Sequence, residues 1–244
     1  MRLTVLGGSG GWPAAGGGCS GYLLEVDGFR LLVDPGYATV PRLLELVGAA
    51  EVDAVLVTHE HPDHCADLNP LLRARVLPGG AAPLPVYSLP GAVDAVLALD
   101  RPSMLEGSYE LHDLRAAAEI GPFAVRTAAL PHFVPDLGVR LSADGMDLAY
   151  TGDAAADDAT VELARGADLL LAEASFPQEV PEKQAGGLNT AAAVGGQAAA
   201  AGVGQLVLTH LFPTSDPEAS RAAAARLYGG PISVAEPGLV LDLS

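Results

Sequence analysis

Between Thr58 and His64 the chain reads Thr-His-Glu-His-Pro-Asp-His, which puts four potential metal ligands, His59, His61, Asp63 and His64, within six residues. Imidazole nitrogens with a carboxylate oxygen suit zinc, and no cysteine pair is present to close a structural zinc finger, so open, catalytic coordination is expected. Further candidates stand at the ends of apolar runs: His132 after Ala128-Ala129-Leu130-Pro131, Asp153 after Tyr150-Thr151-Gly152, and His210 after Leu206-Val207-Leu208-Thr209. Each alone reads as a capped turn or a satisfied core residue. Together they form a series holding five of the six histidines, which leaves His112 as a bystander on a strand.

Strands must carry these residues. Residues 2–6 have a strand pattern, and residues 22–26 and 30–33 form a hairpin turning at Asp27-Gly28, a strong tight-turn signal. Residues 41–47 have helical spacing with Pro41 in the first turn, and residues 53–57 form a short buried strand that runs into the histidine segment. Residues 123–129, 138–141 and 147–151 make a second antiparallel set with a turn at Asp144-Gly145, followed by a helix over 157–164 and a buried strand over 168–172. The Ala-rich stretch 190–201 is a helix, 205–209 a strand, and 216–228 a helix opened by Asp216-Pro217. Two groups of strands, each followed by helices, predict two facing sheets with helices on the outside.

Composition narrows the function. With 244 residues, half of them hydrophobic and 18% charged, the chain can bury a sizeable core as a single domain over 1–244, and no apolar run approaches the ~20 residues that cross a bilayer. The net charge of −17 with only 13 Lys and Arg disfavours long nucleic acids as partners. A small anion stays allowed, because a pair of metal ions dominates its own local field. The opening reads as a strand and not as an export signal, and Cys19 and Cys65 suggest no disulfide framework, so a cytoplasmic protein is expected, with a homodimer allowed. The segment Gly8-Ser9-Gly10-Gly11-Trp12-Pro13 lacks the third glycine of a dinucleotide fingerprint and runs into proline rather than a helix. It reads as a flexible surface loop or, functionally, as a loop bordering the active site with Trp12 as its substrate contact.

The series His59-Glu60-His61-Pro62-Asp63-His64, then His132, Asp153 and His210, resembles the ligand set of the metallo-β-lactamase superfamily over nearly the whole chain. Residues 6–13, Tyr150-Thr151-Gly152-Asp153, Glu173-Ala174-Ser175-Phe176 and Leu208-Thr209-His210 resemble the ribonuclease Z and phosphodiesterase branch. The resemblance implies a four-layer αββα sandwich of the α/β class and two Zn²⁺ per chain, with Mn²⁺ or Fe²⁺ as substitutes. It places His59, His61 and His132 on one ion, Asp63, His64 and His210 on the other, and Asp153 between them. Asp34, in Leu32-Val33-Asp34-Pro35-Gly36, matches the family's early aspartate that braces the histidine loop. A hydroxide shared by the two metals would be the nucleophile, with Asp63 orienting it and Glu173 as a second catalytic candidate.

One departure limits the transfer. Relatives of ribonuclease Z carry a catalytic histidine shortly before the helix leading to the last ligand, where this chain reads Ala185-Gly186-Gly187-Leu188-Asn189-Thr190, and no Gly- and Pro-rich transfer-RNA arm is inserted. The expected activity is therefore hydrolysis of a small phosphodiester such as a cyclic nucleotide. The alternatives are hydrolysis of a lactone, thioester or lactam, and a metal-bound regulatory subunit without turnover.

Overall fold

A computed structural model describes residues 1–243. The first half contains β1 (Arg2–Ser9), β2 (Gly18–Cys19), β3 (Gly21–Val26), β4 (Phe29–Val33), α1 (Val40–Leu46), β5 (Ala54–Leu56), α2 (Pro62–Cys65), α3 (Leu68–Val76), β6 (Leu84–Ser88), α4 (Asp94–Leu97) and β7 (Tyr109–Asp113). The second contains β8 (Glu119–Ile120), β9 (Phe123–Leu130), β10 (Asp136–Ala143), β11 (Met146–Tyr150), α5 (Asp158–Ala164), β12 (Leu169–Glu173), α6 (Ala191–Ala201), β13 (Gln205–Thr209), α7 (Pro217–Ala224) and β14 (Ile232–Val234). β15 (Val240–Asp242) then returns to pair with β1.

One sheet runs β15-β1-β3-β4-β5-β6-β7 with β2 attached to β1, and the other runs β14-β13-β12-β11-β10-β9-β8. In each, antiparallel strands give way to parallel strands joined through helices. The two sheets face each other across a core that includes Leu3, Val5, Leu31, Val33, Val139, Leu141, Leu169 and Leu171. Period-two alternation divides the strands cleanly: Leu31 and Val33 point between the sheets, while Leu32 points outward with Val55 and Val57 against Leu43, Leu68 and Leu72 of α1 and α3. On the opposite outer face the small side chains of α6 and α7 pack against Leu170, Leu206 and Leu208. This is the α/β sandwich of two sheets with outer helices that the metallo-β-lactamase resemblance implies. Among the described residues no helix is long and apolar enough to cross a membrane.

The hairpin over 22–33, the helices over 157–164 and 190–201 and the strand 205–209 occur within a residue or so of their expected bounds, while the strand expected over 138–141 extends two residues further at each end, over Asp136–Ala143. The last helix is shorter than expected, running Pro217–Ala224 before the chain turns. The glycine-rich segment is no flexible loop at its start. β1 continues through Ser9, and Gly7, Gly8 and Gly10 are buried.

Candidate metal centre

The ligand candidates sit where strands end and the chain must turn, at one edge of the sandwich. β5 stops at Leu56, and after Thr58 the chain enters α2 with Pro62 at its start, so that His61 precedes the helix while Asp63 and His64 lie in its first turn. Cys65 points away into the outer core and donates its thiol to the His61 carbonyl, and burial pushes that thiol up to about 12, so it stays protonated and outside the ligand set. His132 follows β9, Asp153 follows β11 and His210 follows β13. The turn into Asp153 needs Gly152, which has φ +60° and lies against Asp136 and Thr58 so closely that a Cβ has no space.

All seven candidates converge into two groups, His59 with His61, His132 and Asp153, and Asp63 with His64, Asp153 and His210. Within each, one ligand atom per residue lies inside 4.8 Å of all the others. His61 Nδ1 is 3.2 Å from His59 Nε2 and 3.0 Å from His132 Nε2. In the second group His210 Nε2 is 3.1 Å from both Asp63 Oδ2 and Asp153 Oδ2, and His64 Nε2 is 3.2 Å from Asp153 Oδ1. Whether these atoms suit a cation can be read from their other partners. His64 Nε2 and Asp153 Oδ1 are buried with no hydrogen-bond partner, a costly arrangement for protein alone and a natural one around a divalent ion. The donor set of imidazoles and carboxylates fits zinc.

Each imidazole except His61 is oriented through its far nitrogen. Asp34, wholly buried and with φ +47°, receives Thr58 N–H on Oδ1 at 2.8 Å. Its Oδ2 receives the Thr58 hydroxyl at 2.8 Å, His64 Nδ1 at 2.8 Å and the Tyr150 hydroxyl at 2.7 Å. His59 Nδ1 lies 3.1 Å from Thr58 Oγ1 and 3.0 Å from Asp136 Oδ1. His132 Nδ1 donates to the Gly187 carbonyl at 2.7 Å. His210 Nδ1 donates to Ser175 Oγ at 3.0 Å, and that hydroxyl donates to Glu173 Oε1 at 2.9 Å. Such partners fix the orientation of each ring and, in its neutral form, the tautomer that leaves the other nitrogen free to ligate. Glu173 also takes Asn189 N–H, at 2.9 Å on Oε2, so its carboxylate is engaged by the network behind His210.

Electrostatics follow burial and mutual charge. Burial, together with the negative charge of Asp153, drives the carboxyls of Asp136 and Glu173 well above the usual carboxylate range. Burial also presses His59 well below the ordinary imidazole value, reinforced by charge on His64, which favours the neutral ring that can ligate. Burial works the other way on Asp63, but the hydrogen bond from His210 and the charge of His64 hold it well below its ordinary value.

Asp136, Ser175 and Gly187 are the contributors that sequence reasoning did not find. Asp136 opens the apolar strand β10 as a lone carboxylate, and nothing in its spacing links it to a histidine 77 residues earlier. Ser175 was visible only as part of a motif, and Gly187 acts through its carbonyl, which no side-chain pattern can reveal. His112 lies on β7, stacked on Tyr87 and remote from the series. Trp12 lies at the rim, next to Gly11, whose N–H donates to Asp63 Oδ2 at 2.7 Å.

The model for the beta-lactamase superfamily domain matches residues 29–211, which takes in Asp34 and all seven ligand candidates. The chain is 32% identical to the probable metallo-hydrolase YhfI of Bacillus subtilis (strain 168), covering 99% of this chain and 100% of that one. The crystal structure of that protein superposes with a TM-score of 0.89 at 29% identity, covering 98% of each chain. Ribonuclease Z of Mycobacterium bovis (strain BCG / Pasteur 1173P2) is 29% identical, over 96% of this chain and 95% of its own. Unliganded yeast PDE1, at 15% identity with a TM-score of 0.79 and 99% of each chain covered, shares the fold.

Proposed function

The chain belongs to the beta-lactamase superfamily and is a metal-dependent hydrolase, and from that premise we propose that it holds two zinc ions and cleaves a small phosphodiester such as a cyclic nucleotide. The observation that carries the reading is Asp153, which reaches both groups: its Oδ2 lies 3.9 Å from His59 Nε2 of one and 3.1 Å from His210 Nε2 of the other, and its Oδ1 meets His64 Nε2 at 3.2 Å. One carboxylate shared between two ligand groups is what a paired-ion site requires, and paired ions suit displacement at phosphorus, where charge develops on both the entering and the leaving oxygen.

His59, His61 and His132 would hold one ion, Asp63, His64 and His210 the other, and Asp153 both. Divalent cations there supply Lewis acidity, lowering the pKa of water and drawing charge from phosphoryl oxygens. The protein's own residues do the rest. Asp63 is anionic, pinned on Oδ2 by Gly11 N–H, and slightly open to solvent beside the sealed His64, Asp153 and His210, so it can accept a hydrogen bond from an entering water and aim it. Asp34, the Thr58 hydroxyl and Ser175 hold the imidazoles in place without touching substrate.

The small-substrate part rests on charge and on the region before α6. With 13 basic residues against 30 acidic ones the surface offers few phosphate contacts to a polymer. At Gly187, in the stretch where ribonuclease Z relatives carry their extra histidine, an added Cβ would lie 2.7 Å from the Phe133 ring, so a side chain there has to displace that ring. The relative named ribonuclease Z nevertheless supports phosphodiester chemistry over carbonyl chemistry. Zinc-supplemented expression followed by elemental analysis should give about two equivalents per chain, and a panel of cyclic nucleotide, bis-aryl phosphate, lactone and lactam should show turnover on the phosphodiesters first. Protein free of transition metal would overturn the metal assignment. Lactone or lactam turnover exceeding every phosphodiester would overturn the substrate assignment.

A further inference from the structure

The sole tryptophan of the chain stands beside the metal centre and belongs to none of the three buried apolar clusters. Trp12 is 46% exposed. One face of its indole lies on Phe212, with centroids 5.4 Å apart and planes 18° from parallel, so the exposed area is the opposite face and the ring edge. Phe212 is itself fixed by the edge of Phe176 at 5.3 Å, and it lies 6.2 Å from the ring of His210. A ladder of aromatic rings therefore leads outward from a ligand candidate and ends in an open indole.

The backbone ties this ladder to the site a second time. Gly10 N–H donates to the Leu211 carbonyl at 3.0 Å and Gly11 N–H to Asp63 at 2.7 Å, so the two residues before Trp12 touch both the strand end carrying His210 and the carboxylate placed to aim water. Any side chain at Gly10 would strike His210, with a Cβ falling 2.7 Å from Nδ1, so the close approach is built into the sequence. A tryptophan recruited for packing would be buried; this one is braced on one side and open on the other.

We propose that Trp12, backed by Phe212, is the stacking platform for a planar aromatic group of the substrate, the base of a nucleotide whose phosphate is held at the metal centre. The proposal rests on the phosphodiester reading for the phosphate end and adds what the other end of the molecule must be. A π-face recognises any base and discriminates against aliphatic rings, which have none to offer. It also supplies affinity without cations, which suits a chain of net charge −17.

Because Trp12 is the sole tryptophan, its fluorescence reports directly on stacking, independently of turnover. Zinc-loaded protein titrated with adenosine 5′-monophosphate should show saturable quenching, and ribose 5-phosphate, which keeps the phosphate and lacks the base, should leave emission unchanged. Trp12→Ala should raise KM for a 3′,5′-cyclic nucleotide about 10-fold with kcat and zinc content unchanged, the size expected for loss of one base-aromatic stack, and Trp12→Phe should recover most of it. Absence of quenching by the nucleotide, equal quenching by both ligands, or a KM in Trp12→Ala matching wild type would overturn the platform. Quenching by the nucleotide together with failure to hydrolyse any phosphodiester would uphold the platform and overturn the phosphodiester reading instead.

Discussion

The two ligand groups share Asp153 and differ in nearly everything around it. The group of Asp63, His64, Asp153 and His210 is buried throughout, and its imidazoles are held by side chains: His64 by Asp34, and His210 by Ser175 backed by Glu173. In the group of His59, His61, His132 and Asp153, His61 and His132 are partly open, and His132 is oriented by the backbone carbonyl of Gly187. That carbonyl belongs to the connection between β12 and α6, not to a strand of either sheet. A carboxylate or a relayed hydroxyl in a sealed core is rigid and strongly coupled to its ring, whereas a carbonyl on a connecting loop moves with the loop. The buried group should accordingly bind its ion more tightly and release it later, and the half-open group should be the one that exchanges.

Asp153→Ala tests the element common to both and should have the largest effect. It removes the carboxylate between the groups and leaves a buried cavity among their five imidazoles, so both zinc equivalents and at least ~10³-fold in turnover should be lost. Wild-type metal content in this variant would remove the basis for calling the groups coupled. His132→Ala and His210→Ala then separate them. The first should keep about one equivalent through dialysis, because the buried group is intact. The second should keep less and melt earlier, since Asp63 loses the partner 3.1 Å away and is left buried and charged. Equal retention in the two variants would erase the distinction between the groups.

This comparison also explains what could be read from the sequence. The histidine segment was legible because one strand end delivers four ligand candidates in six residues, so local density alone makes the case. His132, Asp153 and His210 were legible only as a pattern of polar residues closing apolar runs, and it takes parallel β11, β12 and β13 to bring the last two together. The strands with clear alternation or tight turns were found for the same reason, since their signals are local. β6, with Pro85 inside it, and β7, an exposed edge strand, carry no such signal, and β15 forms only by pairing with β1 from the far end of the chain. The bracing residues were hardest to foresee. Asp136 and the Gly187 carbonyl meet His59 and His132 across 77 and 55 residues, and nothing in residue type announces the pairing.

A smaller effect is expected where the brace of the half-open group is moved and not removed. In Gly187→Ala the new Cβ would lie 2.7 Å from the Phe133 ring, and Phe133 is 53% exposed, so its ring can swing outward to relieve the clash. The loop should shift by a few tenths of an ångström and lengthen the His132 contact. Affinity at the half-open group alone should fall roughly 10-fold, at the low end for loss of a ligand-orienting partner, and a competing chromophoric chelator should show only the earlier of two release phases accelerated. Acceleration of both phases would mean that the loop supports the buried group as well.

Ser175→Ala makes the matching test on the buried group, and its effect should be the smallest. The substitution removes the two hydrogen bonds of the Ser175 hydroxyl, each about 1 kcal/mol net, and leaves no large cavity. Its consequence for His210 is specific. The Ser175 hydroxyl donates to Glu173 and therefore must accept from His210 Nδ1, which leaves Nε2 unprotonated toward Asp63 and Asp153. Without the hydroxyl the ring keeps its packing against Gly10 but loses the group that selects its tautomer. The later of the two chelator phases should quicken by several-fold, the earlier should stay put, and thermal stability of the metal-free protein should change by no more than the two lost hydrogen bonds allow. Ser175→Thr, which restores an acceptor and donor at the same atom, should return the later phase toward wild type if the tautomer is what matters. If Ser175→Ala instead leaves both phases unchanged while melting earlier, the serine holds the strand end together and His210 is set by packing alone.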